Sequence, residues 1–178
     1  MKKQLLALAA AVAVSPAAMA QQGYFGADFS FVNAEFEFNA IPGTYESDPT
    51  ALRFRGGAEL NENVALEGVI GLGLQDDEIE QTDLELGLES MFGVYAVGLL
   101  PLDRTFSLYG KVGFVAIEYE LDSGESDDDT GVSFGIGAKL NVDRNAAMII
   151  EYTVLPEIED AAGSLESDMI SIGAQFAF

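Results

Sequence analysis

The sequence predicts an all-β fold, an eight-stranded antiparallel up-and-down transmembrane β-barrel. Three observations lead there. Apolar residues alternate with small or polar ones, with period two, through eight segments. Tight turns and longer acidic connections join these segments in alternation. Beyond residue 20 no run of about eighteen apolar residues remains to make a spanning helix, and only helices and closed barrels satisfy every backbone group in lipid.

Residues 1–20 read as a secretory signal peptide. Lys2 and Lys3 form a positive start, Leu5 to Val14 a short apolar stretch, and Ala18-Met19-Ala20 a small-x-small cleavage site. The barrel domain is then expected over residues 21–178. Losing the two lysines leaves six basic residues against 30 acidic ones, a net charge of −24. Nucleic acid, which is gripped by Lys and Arg on its phosphates, is excluded as a partner. The chain has no Cys and no His. Disulfides, a lipid anchor on Cys, thiolate nucleophiles, imidazole bases and the usual zinc sites go with them.

Strands are expected at Tyr24–Asn33, Ala51–Leu60, Val64–Leu74, Leu84–Leu100, Phe106–Leu121, Thr130–Leu140, Asn145–Leu155 and Leu165–Phe178. No segment has helical spacing with a start signal. Asn61-Glu62-Asn63, Pro101-Leu102-Asp103-Arg104 and Asn141-Val142-Asp143-Arg144 are built from turn-forming residues. The segments Ala34–Thr50, Gln75–Asp83, Asp122–Asp129 and Pro156–Ser164 are longer and polar. Short turns at one end and long loops at the other are the layout of an outer-membrane barrel, with the turns periplasmic.

The faces follow from the alternation. In the last strand Ile170, Ile172, Ala174, Phe176 and Phe178 share one face, and Ser171, Gly173, Gln175 and Ala177 the other. In the first, Phe25, Ala27, Phe29 and Phe31 oppose Gly26, Asp28 and Ser30. The bulky face suits lipid, and the small, polar face suits the narrow lumen of eight strands, which side chains fill. Arg53, Arg55, Lys111, Lys139, Asp28, Glu59, Glu67, Glu89 and Glu151 all fall on the small or polar face. On the lipid face an Arg or Lys at mid-membrane would cost about 2–4 kcal/mol.

The chain ends in Ser171-Ile-Gly-Ala-Gln-Phe-Ala-Phe178. Ser171, Gly173, Phe176 and Phe178 occupy the defined places of the C-terminal signal by which outer-membrane barrels are recognised for assembly. GYFGADFSF, GGAELNENVALEG, LLPLDRTFSLYGKVGF, GVSFGIGAKL and IIEYT resemble the transmembrane-domain superfamily of outer membrane protein A, over most of the chain after the signal. The resemblance implies an eight-stranded barrel with a packed, polar, charge-paired interior. Because the chain ends with the last strand, peptidoglycan tethering is not expected.

Two features could carry function. Arg53, Arg55, Glu67, Lys111, Lys139 and Glu151 are expected to pair inside the lumen, as a structural network or as a gate whose pairs exchange. The four long loops and their edges hold about nineteen acids and no Lys or Arg. They are read as a solvated rim, with weak divalent-cation binding at Asp127, Asp128 and Asp129 as the alternative. No enzyme and no cofactor are expected. The function read from the sequence is a structural or surface-interaction role in the outer membrane. Its alternative is a small low-conductance pore, and a soluble barrel binding an apolar ligand is the distant third. Expected partners are outer-membrane lipid and lipopolysaccharide, and, during biogenesis, periplasmic chaperones and the barrel assembly machinery. The expected state is a monomer.

Overall fold

Period-two alternation becomes a closed sheet. The computed structural model describes residues 22–38, 44–47, 49–75, 77–78, 85–121, 126–160 and 163–178, with the side chains of 22–35, 49–74, 90–117, 130–157 and 166–178. The signal-peptide expectation lies outside the described residues. The eight barrel strands are β1 (Gln22–Phe38), β2 (Thr50–Asn61), β3 (Val64–Gln75), β4 (Glu85–Pro101), β5 (Phe106–Leu121), β6 (Ser126–Asn141), β7 (Ala146–Val154) and β8 (Gly163–Ala177). Each pairs antiparallel with the next, and β8 pairs with β1 from Tyr24↔Ala177 to Phe38↔Gly163, so the sheet has no open edge. Three short strands, Thr44–Ser47, Asp77–Glu78 and Ile158–Asp160, add to β1, β4 and β8 at the loop end.

Two strands reach further into the loops than the apolar pattern predicts. β1 continues to Phe38 and β6 begins at Ser126, so Asp127, Asp128 and Asp129 belong to a strand rather than a loop. Backbone pairing needs no apolar outer face once the sheet has left the lipid. Glu35 and Glu166, paired across β1 and β8 and both exposed, mark that level.

The outer face carries the bulk. Phe25, Phe31, Phe114, Phe134, Ile136 and Ile172 are each about half exposed or more. A soluble protein rarely shows a continuous apolar surface above a few hundred Å², and here it belts every strand. A soluble barrel holding an apolar ligand would need the opposite arrangement.

Each tight turn is stitched to a neighbouring strand end. Asn63 accepts the Leu99 N–H on its carbonyl (2.8 Å) and donates its side-chain amide to the Leu99 carbonyl (3.1 Å). Asn145 does the same with Ala177 (2.9 and 3.0 Å). Asn141 donates its backbone N–H to Thr105 (2.7 Å) and its side-chain amide to the Arg104 carbonyl (3.1 Å). Phe178 N–H reaches the Gly23 carbonyl (2.9 Å), which continues the β8–β1 pairing to the last residue.

Candidate functional site

Six ionised side chains from five strands meet in the lumen. Arg53 and Arg55 come from β2, Glu67 from β3, Lys111 from β5, Glu151 from β7 and Asp28 from β1, and all are buried. Arg53 Nε lies 2.6 Å from Asp28 Oδ1, and its Nη2 lies 2.8 Å from Glu151 Oε1. Arg55 reaches Asp28 Oδ2 (2.8 Å), Glu151 Oε2 (3.1 Å) and Glu67 Oε2 (3.5 Å). Lys111 Nζ bridges Glu151 Oε1 (2.8 Å) and Glu67 Oε1 (3.4 Å), with the Tyr95 ring 4.1 Å away. Tyr109 Oη and Thr153 Oγ1 donate to Glu151 (2.9 and 3.1 Å), and Tyr24 Oη donates to Glu67 (3.0 Å). Three carboxylates face three cations, so the cluster is formally neutral. Buried charges persist only when paired and hydrogen-bonded in this way.

Glycine makes the room. Every cation and tyrosine of this layer sits directly across the sheet from a glycine: Arg53 from Gly71, Arg55 from Gly26, Lys111 from Gly135, Tyr24 from Gly57, Tyr95 from Gly113 and Tyr109 from Gly137. A Cβ at Gly57 or Gly137 would run into the Tyr24 or Tyr109 ring. Asp28 likewise faces Gly173, where a Cβ would meet the Ala27 carbonyl and Asp28 itself.

On the loop side of the charges the lumen holds mostly apolar volume, with the small hydroxyls of Ser30, Ser133, Thr153, Ser167 and Ser171 buried on the same inward face. Val32, Val69, Met91, Val115, Ile117 and Met169 fill it, and Arg53 Nη1 donates to Met169 Sδ (3.2 Å) where the two layers meet. The expected polar, charge-paired interior is therefore concentrated in the central layer, and apolar side chains take a larger share of the lumen towards the loops. Filling a narrow lumen requires volume, and apolar side chains supply it there without needing partners. On the turn side, a void of about 10 Å³ among Tyr24, Arg55, Glu67 and Tyr109 leaves room for roughly one water. Beyond it a vestibule of about 350 Å³ opens between the tight turns.

Of the residues expected to pair, Arg53, Arg55, Glu67, Lys111 and Glu151 form one cluster. Lys139 does not join it. It binds Glu59 (3.2 Å) nearer the mouth, where both are partly exposed. Asp28 completes the cluster and was legible as an inward acid, although not as the partner of both arginines. Tyr24, Tyr95 and Tyr109 add hydrogen bonds to this network, and their only sequence signal was inward parity. The Glu89 side chain lies outside the described residues. So do those of Asp127, Asp128 and Asp129, whose backbone pairs with Tyr119, Glu118 and Ile117. Among the described residues no group of three or more Asp or Glu is placed to hold a metal ion.

The four residues expected to form a C-terminal assembly signal, Ser171, Gly173, Phe176 and Phe178, all lie at the β8–β1 seam. Ser171 Oγ is 2.8 Å from Ser30 Oγ, Gly173 accommodates Asp28, Phe176 stacks on Phe25 at 5.6 Å, and Phe178 lies 6.2 Å from Phe25 and covers Gly23.

A family profile, outer membrane protein beta-barrel domain, matches residues 5–178. The chain belongs to that family. Among solved structures, this outer membrane β-barrel is similar to Neisserial surface protein A (16% identity, 88% of this chain and 97% of that one, TM-score 0.61). It is also similar to Ail, the attachment invasion locus protein of Yersinia pestis (16%, 89% and 100%, TM-score 0.58). A third is outer membrane protein OprG from Pseudomonas aeruginosa (13%, 90% and 97%, TM-score 0.56). At these identities the likeness concerns the fold. Among curated proteins no sequence matches.

Proposed function

We propose that this outer membrane β-barrel is a closed, non-catalytic barrel with a structural or surface-interaction role. Its tight turns face the periplasm, and its acidic loops face outward towards lipopolysaccharide and the surroundings. The observation that carries the reading is the filled lumen: a neutral, fully paired charge layer backed by an apolar one. An ion crossing it would have to break buried pairs and then pass closely packed, largely apolar side chains. The loops are left as the functional surface, and two fold neighbours bear names that speak of attachment and of a surface protein.

A gated pore is the second reading. It is favoured by Lys111, which lies between two carboxylates at unequal distances and could exchange them. Planar-bilayer recording of the refolded barrel separates the two. The closed barrel passes no resolved current, and Lys111→Ala and Glu67→Gln leave it silent because the apolar layer remains. Discrete openings in the unmodified protein, altered in either variant, would replace this reading with the gate.

A further inference from the structure

We propose that Arg104 and Arg144 form one binding site for a phosphate-bearing anion at the turn end of the barrel. The expected source, a phospholipid headgroup of the inner leaflet, rests on the periplasmic orientation argued above. Outside the lumen cluster, the chain after its signal segment has three cations: Lys139, Arg104 and Arg144. All three line the same vestibule. Lys139 is taken up by Glu59. Neither arginine has an ion-pair partner among the described residues.

Two of the acids around them are tied into their own turns, although they keep their charge. Asp103 Oδ1 accepts the N–H groups of Thr105 (2.7 Å) and Phe106 (2.8 Å), and Asp143 Oδ1 accepts that of Arg144 (2.6 Å). Glu62, on the first turn, is the remaining carboxylate of the lining.

The two arginines sit on equivalent turns. Leu102-Asp103-Arg104 and Val142-Asp143-Arg144 share a sequence pattern. They share a backbone too: the N–H groups of Leu102 and Asp103 point to the Phe106 carbonyl, and those of Val142 and Asp143 to the Ala146 carbonyl. Asn141, which opens the third turn, holds the Arg104 carbonyl and so ties one turn to the other. Two guanidiniums on adjoining, braced turns suit the oxygens of a phosphate, which arginine binds in forked fashion. Leu102 and Val142, 56% and 65% exposed, stand one position before each Asp-Arg. An apolar residue beside a cation is what a turn at the boundary of acyl chains and headgroups requires, and this favours the lipid as source.

The test uses the refolded full barrel in two arms. In nanodiscs mixing phosphatidylglycerol with phosphatidylcholine, native mass spectrometry should find the anionic lipid retained over the neutral one by roughly tenfold. Arg104→Gln/Arg144→Gln should abolish that preference, and Glu62→Gln should strengthen it. In zwitterionic nanodiscs, inorganic phosphate should move the Arg104 and Arg144 side-chain resonances saturably. A phosphate response without lipid preference keeps the site and makes its ligand a soluble phosphate. No preference and no response, in a barrel whose heat-modifiable gel mobility shows it folded, would overturn the proposal. Orientation is tested separately: impermeant maleimide labelling of Val142→Cys in intact cells would refute the periplasmic placement alone.

Discussion

Arg53 Nη2 and Glu151 Oε1 lie 2.8 Å apart across the lumen, joining β2 to β7 over 98 residues of sequence. Glu151 also takes Arg55, Lys111, Tyr109 and Thr153. It is the hub of the charge layer, and its removal leaves three buried cations sharing two carboxylates. Uncompensated buried charge costs about 3–5 kcal/mol. Glu151→Gln should therefore lower the urea midpoint of the refolded barrel strongly. Lys139→Ala, which breaks only the partly exposed pair with Glu59, should cost no more than about 1 kcal/mol. Equal losses in the two variants would mean that the central cluster is not held as described.

The glycines divide by what stands opposite them. A Cβ at Gly137 would enter the Tyr109 ring and displace its hydroxyl from Glu151, whereas a Cβ at Gly56 would meet nothing within 4 Å. Gly137→Ala should reduce the folded yield and the unfolding midpoint. Gly56→Ala should stabilise by about 0.5–1 kcal/mol, because alanine has less backbone freedom to lose on folding. Parallel urea titrations check the opposite signs.

This glycine pattern also explains what the sequence could tell. Strand number, the closed topology and the inward parity of every clustered charge followed from alternation, since one face had to be bulky and the other small. The glycines signalled a cramped interior. Which tyrosine or cation each one accommodates depends on cross-strand register, which alternation within a strand does not contain. The apolar filling towards the loops was hidden for a related reason. Met91 beside Phe92, and Ile117 beside Ala116, put apolar residues on both faces, so the contrast that marks a polar interior vanishes there. Lys139 and Lys111 had the same parity, and only their depth along the axis separates a mouth pair from a buried hub.

Asp103 supplies a pH dependence at the second turn. Backbone N–H donation from Thr105 and Phe106 holds its carboxyl below its ordinary range. A depressed folded-state pKa means that the contribution is complete above the unfolded value of about 3.9. It is lost as pH falls through the lower, folded value. The Thr105 and Phe106 amide resonances should titrate together with a midpoint below about 3.9, and Asp103→Ala should remove the titration. A midpoint at or above that value would contradict the turn geometry.

At the closing seam, recognition and closure can be separated. Gly173 and Phe178 both occupy places of the C-terminal signal expected from the sequence, yet they meet β1 differently. A Cβ on Gly173 would strike the Ala27 carbonyl and the Asp28 side chain, the carboxylate that holds both Arg53 and Arg55. Phe178 stands on the outer surface, 76% exposed, touching Phe25 and covering Gly23. Gly173→Ala should therefore block closure even in lipid vesicles that contain no assembly machinery. Phe178→Ala should still refold there, with a modest loss of stability from the missing ring contact, of about 0.5–1.5 kcal/mol. In cells Phe178→Ala should fail at assembly while folding competence in vitro is kept. Heat-modifiable gel mobility reads both settings. Normal refolding of Gly173→Ala would show that β1 can move aside at this level, and the seam would then be looser than its contacts with Asp28 imply.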